Sequence, residues 1–245
     1  MALAAVTLDG AGTLFGVAEP VGETYARVAA RHGMRLSPAD LESRFRAAFA
    51  AAPPLAFPGG SPTRLADHER AWWYALVRRV FGPAATSPAF DACFAELFAH
   101  YARPDAWRVF PEVPDALAAL RARRLRLALV SNFDQRLVAL VAGLGLAPLL
   151  DAVVHSTAAG AAKPDPAIFR VALARLAVDP GDALHAGDDI DRDVAGARAA
   201  GLHAVLVDRD ARSSPLPDDA VRITRLDELA GVVDFLSQRP GFDRG

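Results

Sequence analysis

The chain has 245 residues, 52% hydrophobic and 23% charged, with a formal net charge of −2. Those fractions are globular averages, which excludes a disordered or collagen-like chain, and a chain of this length can bury roughly 70–75% of its extended surface. The near-neutral charge leaves no electrostatic footprint for a polyanion, so no nucleic-acid partner is expected.

In chain order, Met1 to Leu8 has no basic region and reaches Asp9 too early for a signal peptide. Leu3–Leu8 reads as a short buried strand, ending in Asp9-Gly10-Ala11-Gly12-Thr13-Leu14. From about Phe15 to Pro104 the pattern carries no strand. Amphipathic segments at Val21–Arg31, Pro38–Ala51, Arg64–Phe81 and Pro88–Tyr101 predict helices, and the Pro/Gly tract Pro53–Pro62 separates two of them as a loop. Trp72, Trp73, Tyr74, Phe81, Phe90 and Phe94 are expected to pack those helices together rather than line a ligand pocket. Cys93, the only cysteine, excludes an intrachain disulfide and a cysteine-based zinc site, and reads as a small buried apolar residue in a reducing, cytoplasmic setting.

After Asp105, short strands alternate with helices: helix Val113–Arg123, strand Leu127–Val130, helix Gln135–Leu144, strand Ala152–Val154, helix Pro166–Leu176, strand Ala183–Ala186, helix Asp193–Ala200 stopped by Gly201, strand Ala204–Val207 and helix Leu226–Leu236. The apolar stretch Leu137–Leu150 is shorter than the ~18 residues that cross a bilayer, so no membrane partner is expected. The whole reads as a doubly wound, Rossmann-like α/β core over 1–15 and 105–237. A helical insertion fills 16–104, and a frayed tail runs over 238–245.

In open parallel sheets, ligands bind beyond the carboxyl ends of the strands. The polar residues there are Asp9, then Ser131-Asn132, then Gly187-Asp188-Asp189 with Asp193, while Lys163-Pro164-Asp165-Pro166 precedes a helix. Asp9 and Asp188 form a hard-oxygen pair suited to Mg²⁺, which takes few carboxylates and keeps several waters. Lys163, the single lysine among 27 cationic side chains, can bridge Asp9 and a phosphoryl group, and Ser131 and Asn132 can donate to the same oxygens. Gly10 and Gly12 let the backbone approach an anion closely. Each has a duller role: Asp9, Ser131 and Asn132 as caps, Asp189, Asp191 and Asp193 as helix-start carboxylates. Their occurrence together, at successive strand ends, favours one shared site for a small phosphorylated molecule.

This ordered set resembles the haloacid dehalogenase superfamily, in the subfamily with a C1 helical cap inserted after the first strand. That family's motifs are Asp-x-Asp-Gly-Thr-Leu, a Ser or Thr after a strand, a Lys often in Lys-Pro-x-Pro, and Gly-Asp with a further Asp. They match Asp9–Leu14, Ser131, Lys163 and Gly187-Asp188 with Asp193. The stretches Pro20–Tyr25, Trp72-Trp73 and Ser131–Asp134 are similar to the group called haloacid dehalogenase-like hydrolase domain-containing protein three. The resemblance implies Asp9 as nucleophile, Lys163 and Ser131 as catalytic partners, and Mg²⁺ on Asp9, Asp188 and the Ala11 carbonyl, with Asp189 and Asp193 supporting. The resemblance names no substrate; the expected partner is a small phosphorylated molecule, and the expected assembly a monomer or homodimer.

One position departs. Ala11 stands where the family's phosphatases carry the Asp that protonates the leaving oxygen and then activates water. The carbonyl is kept and the acid is lost, which removes a factor of about 10²–10⁴. The loss is severe for alkyl or sugar phosphates and milder for aryl or acyl phosphates, so the expectation is a weak or narrow phosphatase, with Glu19, Glu23, Asp134 and Asp189 as candidate substitutes for the acid. Two other readings stand beside it. One is a non-catalytic protein that binds a phosphometabolite or a partner. The other is a metal-independent 2-haloacid dehalogenase recruiting Arg27, Arg44 and Asn132. A Schiff-base hydrolase fails because Lys163 is the only lysine, and a dinucleotide fold fails because Pro20 interrupts the helix it requires.

Overall fold

The computed structural model describes residues 3–210 and 220–238; the expected tail beyond Gln238 lies outside them. The chain opens with β1 (Ala5–Leu8) and β2 (Phe15–Val17), then runs through α1 (Val21–Arg31), α2 (Pro38–Ala50), α3 (Leu65–Phe81) and α4 (Phe90–His100) before β3 (Trp107–Val109). It continues as α5 (Val113–Ala122), β4 (Arg126–Ser131), α6 (Arg136–Gly143), β5 (Ala152–His155), α7 (Ser156–Ala159) and α8 (Pro166–Leu176). Then come β6 (Ala183–Gly187), α9 (Gly196–Ala199), β7 (His203–Val207), β8 (Val221–Ile223) and α10 (Leu229–Gln238).

Six strands form one all-parallel sheet in the order β5-β4-β1-β6-β7-β8. Helices cover both faces, so strand residues are apolar whichever way they point. Val6, Leu8, Leu127, Leu129 and Leu184 face one core with α5, α6 and α10; Ala5, Ala128, Val130 and Ala183 face the other with α8 and α9. On the first, Leu129 is fully buried, and truncating it to Ala would cost about 2–5 kcal/mol.

The helices between β2 and β3 have a third core of their own, holding Tyr25, Leu76, Phe81, Phe90 and Leu97. Ser37 caps α2 by accepting from Asp40 N at 3.3 Å, and Asp165 caps α8 by accepting from Ala167 N at 2.9 Å. Cys93 is buried in that third core, and burial pushes its thiol up to about 11.

Three features differ from the sequence expectation. β2 and β3 pair antiparallel, Phe15 opposite Val109 and Val17 opposite Trp107, forming a ribbon where the chain leaves and rejoins the sheet. β8 adds a sixth strand at the edge. The helix expected to begin at Asp193 begins instead at Ile190 as a wide π-helical turn through Ala195, in which Val194 N donates to Asp189 O at 3.2 Å.

Candidate active site

The sheet order brings the chemistry together. β1 lies between β4 and β6, so Asp9, Ser131 and Asp188 leave three adjacent strands at the same edge. Lys163 arrives from the loop before α8, and Asn132 fixes it there: its Oδ1 accepts from Lys163 N at 2.7 Å and its Nδ2 donates to Lys163 O at 2.9 Å. The amide expected to bind substrate oxygens therefore holds the lysine backbone.

The Lys163 ammonium donates to Asp9 Oδ1 and to Asp193 Oδ1, each at 2.5 Å, and all three residues are buried. Burial alone would lower the Lys163 pKa, but Asp193 and Asp9 outweigh it and hold it above the ordinary lysine value. Burial raises Asp9 against the opposing pull of Lys163. Asp193 shares the same burial but ends well below the usual carboxylate range, because Lys163 and His185 both stabilise its charge. The two carboxylates differ in their donors: Asp193 also takes His185 Nε2 at 3.1 Å and Asp189 N at 3.0 Å. Burial lowers the His185 pKa. Because the ionised Asp193 carboxylate can only accept, a neutral ring carries its proton on Nε2 and turns a bare Nδ1 to the Thr7 hydroxyl, 2.8 Å away.

One oxygen from each of Asp9, Asp188 and Asp193 lies within 4.8 Å of the others. Asp193 is spent on Lys163, His185 and Asp189, whereas the Asp188 carboxylate takes no protein hydrogen bond among the described residues. Asp188 is exposed to the cavity, and partial desolvation there, with the charges of Asp9 and Asp193, pushes it up to about 7. The Ala11 carbonyl likewise accepts none of the hydrogen bonds of the turn, which converge on the Gly10 carbonyl. Unpartnered hard oxygens beside an electrostatically strained carboxylate fit a small divalent cation. Two glycines make room for these groups. Gly12 sits at φ +97°, and a methyl on it would overlap the Asp188 carboxylate; one on Gly187 would overlap Asp193.

Above this polar floor lies a cavity of about 360 Å³, within the range of small-molecule sites. Its floor is Asp9, Ala11, Ser131, Lys163 and Asp188; its walls and roof are mostly aromatic and come largely from the inserted helices. Trp73 and Phe94, expected as packing residues, line it, while Phe81 and Phe90 are fully buried between helices. Tyr25, Phe45, Phe49, Phe98 and Tyr101 also line it. Sequence spacing gave no sign of these five, since a helix between a core and a cavity is apolar on both sides.

The inserted helices are fastened over the floor. Glu69 of α3 accepts from Thr157 Oγ1 at 2.5 Å, Gln135 N at 3.1 Å and Gln135 Nε2 at 2.8 Å. Trp73 Nε1 donates to Asp134 Oδ2 at 2.6 Å, and Ser156 Oγ donates to Leu55 O at 2.5 Å. Of the four candidate substitutes for the missing acid, Asp189 alone lines the cavity. Asp134 is held by Trp73 and Arg136, and Glu19 pairs with Arg27 at 2.7 Å. Arg27 and Arg44, offered for a halide, do not line it.

The sequence and the fold have close counterparts. A 2-haloacid dehalogenase from Pseudomonas syringae superposes at TM-score 0.63 with 25% identity, over 96% of this chain and 99% of that one. A phosphoserine phosphatase from Thermus thermophilus is 37% identical over 157 residues, 63% of this chain and 62% of its own. The human haloacid dehalogenase-like hydrolase domain-containing protein 3 is 37% identical over 219 residues, 88% of this chain and 86% of its own. A family model described as haloacid dehalogenase-like hydrolase matches residues 3–201. With the match running from β1 through the turn that carries Asp193, and with Asp9 and Lys163 in contact inside it, the chain belongs to the haloacid dehalogenase-like hydrolases.

Proposed function

We propose that the protein is a Mg²⁺-dependent phosphomonoesterase in which Asp9 is the nucleophile and the inserted helices act as a cap. The observation that carries this reading is Asp188: an unpartnered carboxylate beside Asp9, raised to about 7 and facing the cavity floor, calls for a cation. When bound, Mg²⁺ offsets the negative charge of nucleophile and phosphoryl group as they approach.

The chain's own residues do the rest. Lys163 fixes Asp9 Oδ1 and offers charge to the phosphoryl oxygens, while Asp193 holds the ammonium in place from below. The Ser131 hydroxyl, with no protein partner among the described residues, is free to donate to a phosphoryl oxygen at the cavity floor. Asp9 attacks phosphorus, an Asp9 O–P bond forms, and the ester P–O bond breaks with its electron pair leaving on the alcohol oxygen. Water then cleaves the aspartyl-phosphate to inorganic phosphate. The fastened cap limits water during the first step. At Ala11 no carboxyl is available to protonate the departing oxygen, so the rate falls as the leaving group becomes more basic.

The test is phosphate release from a panel of esters, with and without Mg²⁺, by the wild type and by Asp9→Asn. Turnover that needs Mg²⁺ and vanishes in Asp9→Asn supports the reading; an active Asp9→Asn protein ends it. Chloride release from a 2-haloacid in the presence of EDTA would instead establish the dehalogenase reading. Tight binding of phosphate esters without any turnover would establish the binding-protein reading.

A further inference from the structure

Resting on the phosphatase reading, the geometry points to the alcohol half of the substrate: we infer that the cavity takes a phosphomonoester of an aromatic alcohol, with the ring against Phe49, Trp73 and Phe98.

Two independent features lead there. The first is the wall chemistry. Phe45 and Phe49 stack at 5.6 Å, Phe49 and Trp73 at 6.3 Å, and these rings line the space above the floor. The polar groups among them are few and mostly engaged. Arg136 gives Nε and Nη2 to Asp134 at 2.9 and 2.6 Å and Nη1 to Phe98 O at 2.9 Å, leaving it no fork for a second anion. The Tyr101 hydroxyl is buried without a hydrogen-bond partner. Arg192 stands over Phe49, 5.9 Å from its ring, with Asp189 at 3.9 Å. A sugar phosphate would bring several hydroxyls against walls whose polar groups, besides Arg136, are the Tyr25 and Tyr101 phenols and the Asp189–Arg192 pair, and each unmet hydroxyl opposes binding. An aryl ring needs no partners and gains from leaving water; with Phe49 already stacked on Phe45 and Trp73, and Arg136 over Trp73 and Phe98, it meets the edges of these rings.

The second feature is Ala11. A phenol ionises with a pKa of about 10, several units below an aliphatic alcohol, so its oxygen can leave as phenolate with no protonation. In the step proposed, Asp9 gains phosphorus, the aryl P–O bond breaks, and the electron pair departs on the phenolic oxygen, which takes its proton from solvent. A site that lacks an acid and is walled with aromatic rings suits that ester for both reasons.

The experiment compares kcat/KM with Mg²⁺ for 1-naphthyl phosphate, phenyl phosphate, glycerol 3-phosphate, glucose 6-phosphate and acetyl phosphate. The naphthyl ester is expected to exceed glucose 6-phosphate by about 100-fold or more, and to exceed the phenyl ester about tenfold although the two leaving groups are similarly acidic. Phe49→Asn is expected to lower the naphthyl to acetyl phosphate ratio about tenfold. Sugar or glycerol esters turned over as fast as the naphthyl ester, or an unchanged ratio in Phe49→Asn, would overturn the inference. If acetyl phosphate is hydrolysed without any aryl preference, only the substrate class falls. If none of the five is hydrolysed, the phosphatase reading falls and takes the inference with it.

Discussion

Glu69, on α3 of the inserted helices, accepts the Thr157 hydroxyl at 2.5 Å across the seam with the sheet domain, and it is 1% exposed. A buried carboxylate that receives only donors is satisfied as an acceptor, and removing it strands those donors. Glu69→Ala should therefore cost about 2–4 kcal/mol, read as a lower urea midpoint. The local readout is sharper. The Gln135 amide donates to Glu69, so its hydrogen exchange should accelerate about 10–100-fold. Unchanged exchange at Gln135 would mean that the seam is held by Trp73 and Ser156 alone.

Restoring a carboxyl at position 11 tests the missing acid. Ala11→Asp places the group at the cavity floor, where Ala11 is exposed. In kcat/KM, which reports transfer of the phosphoryl group to Asp9 and not the later attack of water, alkyl phosphates should rise about 10²-fold and 4-nitrophenyl phosphate should change by less than about threefold, because its leaving group needs no proton. Equal effects on both classes would show that position 11 does not govern proton transfer.

Much of this site was legible in the sequence, because most of its groups follow short apolar runs that alternate with helical patterns, as buried parallel strands do. Asp9, Ser131 and Asp188 are placed by strand ends, and Lys163 by its Lys-Pro-Asp-Pro segment. The exceptions share a physical cause: they depend on partners far away in the chain. β2 and β3 are Phe-Gly-Val and Trp-Arg-Val, too short to read as strands until each meets the other. Asn132 reads as a ligand donor until Lys163, 31 residues on, claims its amide. Trp73 reads as packing because a cavity wall and a core impose the same apolar pattern. Asp193 reads as a supporting carboxylate of the site, but that it anchors the Lys163 ammonium depends on the π-helical turn that aims it there.

On the proposed reading, Asp188 sets the pH dependence of Mg²⁺ binding. Its pKa is raised to about 7, so in the metal-free protein it is largely protonated at pH 6 and ionised at pH 8. A cation must displace that proton, so affinity weakens as pH falls. Mg²⁺ should bind about tenfold more weakly at pH 6 than at pH 8. Titration calorimetry in buffers of different ionisation enthalpy should show close to one proton released per Mg²⁺ at pH 6 and almost none at pH 8. A flat profile would remove Asp188 from the ligand set, and Asp188→Asn should flatten it.

Lys163 is the one side chain whose removal should damage both fold and chemistry, and pH separates the two effects. Without its ammonium, Asp9 and Asp193 face each other in a buried space with one cation fewer. Breaking a buried pair in this way costs about 3–5 kcal/mol. The remaining carboxylates then titrate above their unfolded values. A carboxylate raised on folding destabilises above its unfolded pKa, and the penalty fades as pH falls and the folded group takes up a proton. In the wild type Asp193 has the opposite sign: its depressed pKa contributes stability above the unfolded value of 3.8, which is lost as pH falls. Lys163→Met should thus be much less stable than wild type at pH 7, with the gap narrowing toward pH 4 as the variant's raised carboxylates take up protons, while the wild type keeps most of its Asp193 contribution until the pH drops below 3.8. Urea midpoints at both pH values provide the check, and a gap that stays constant would show that the loss comes from packing rather than from the two carboxylates.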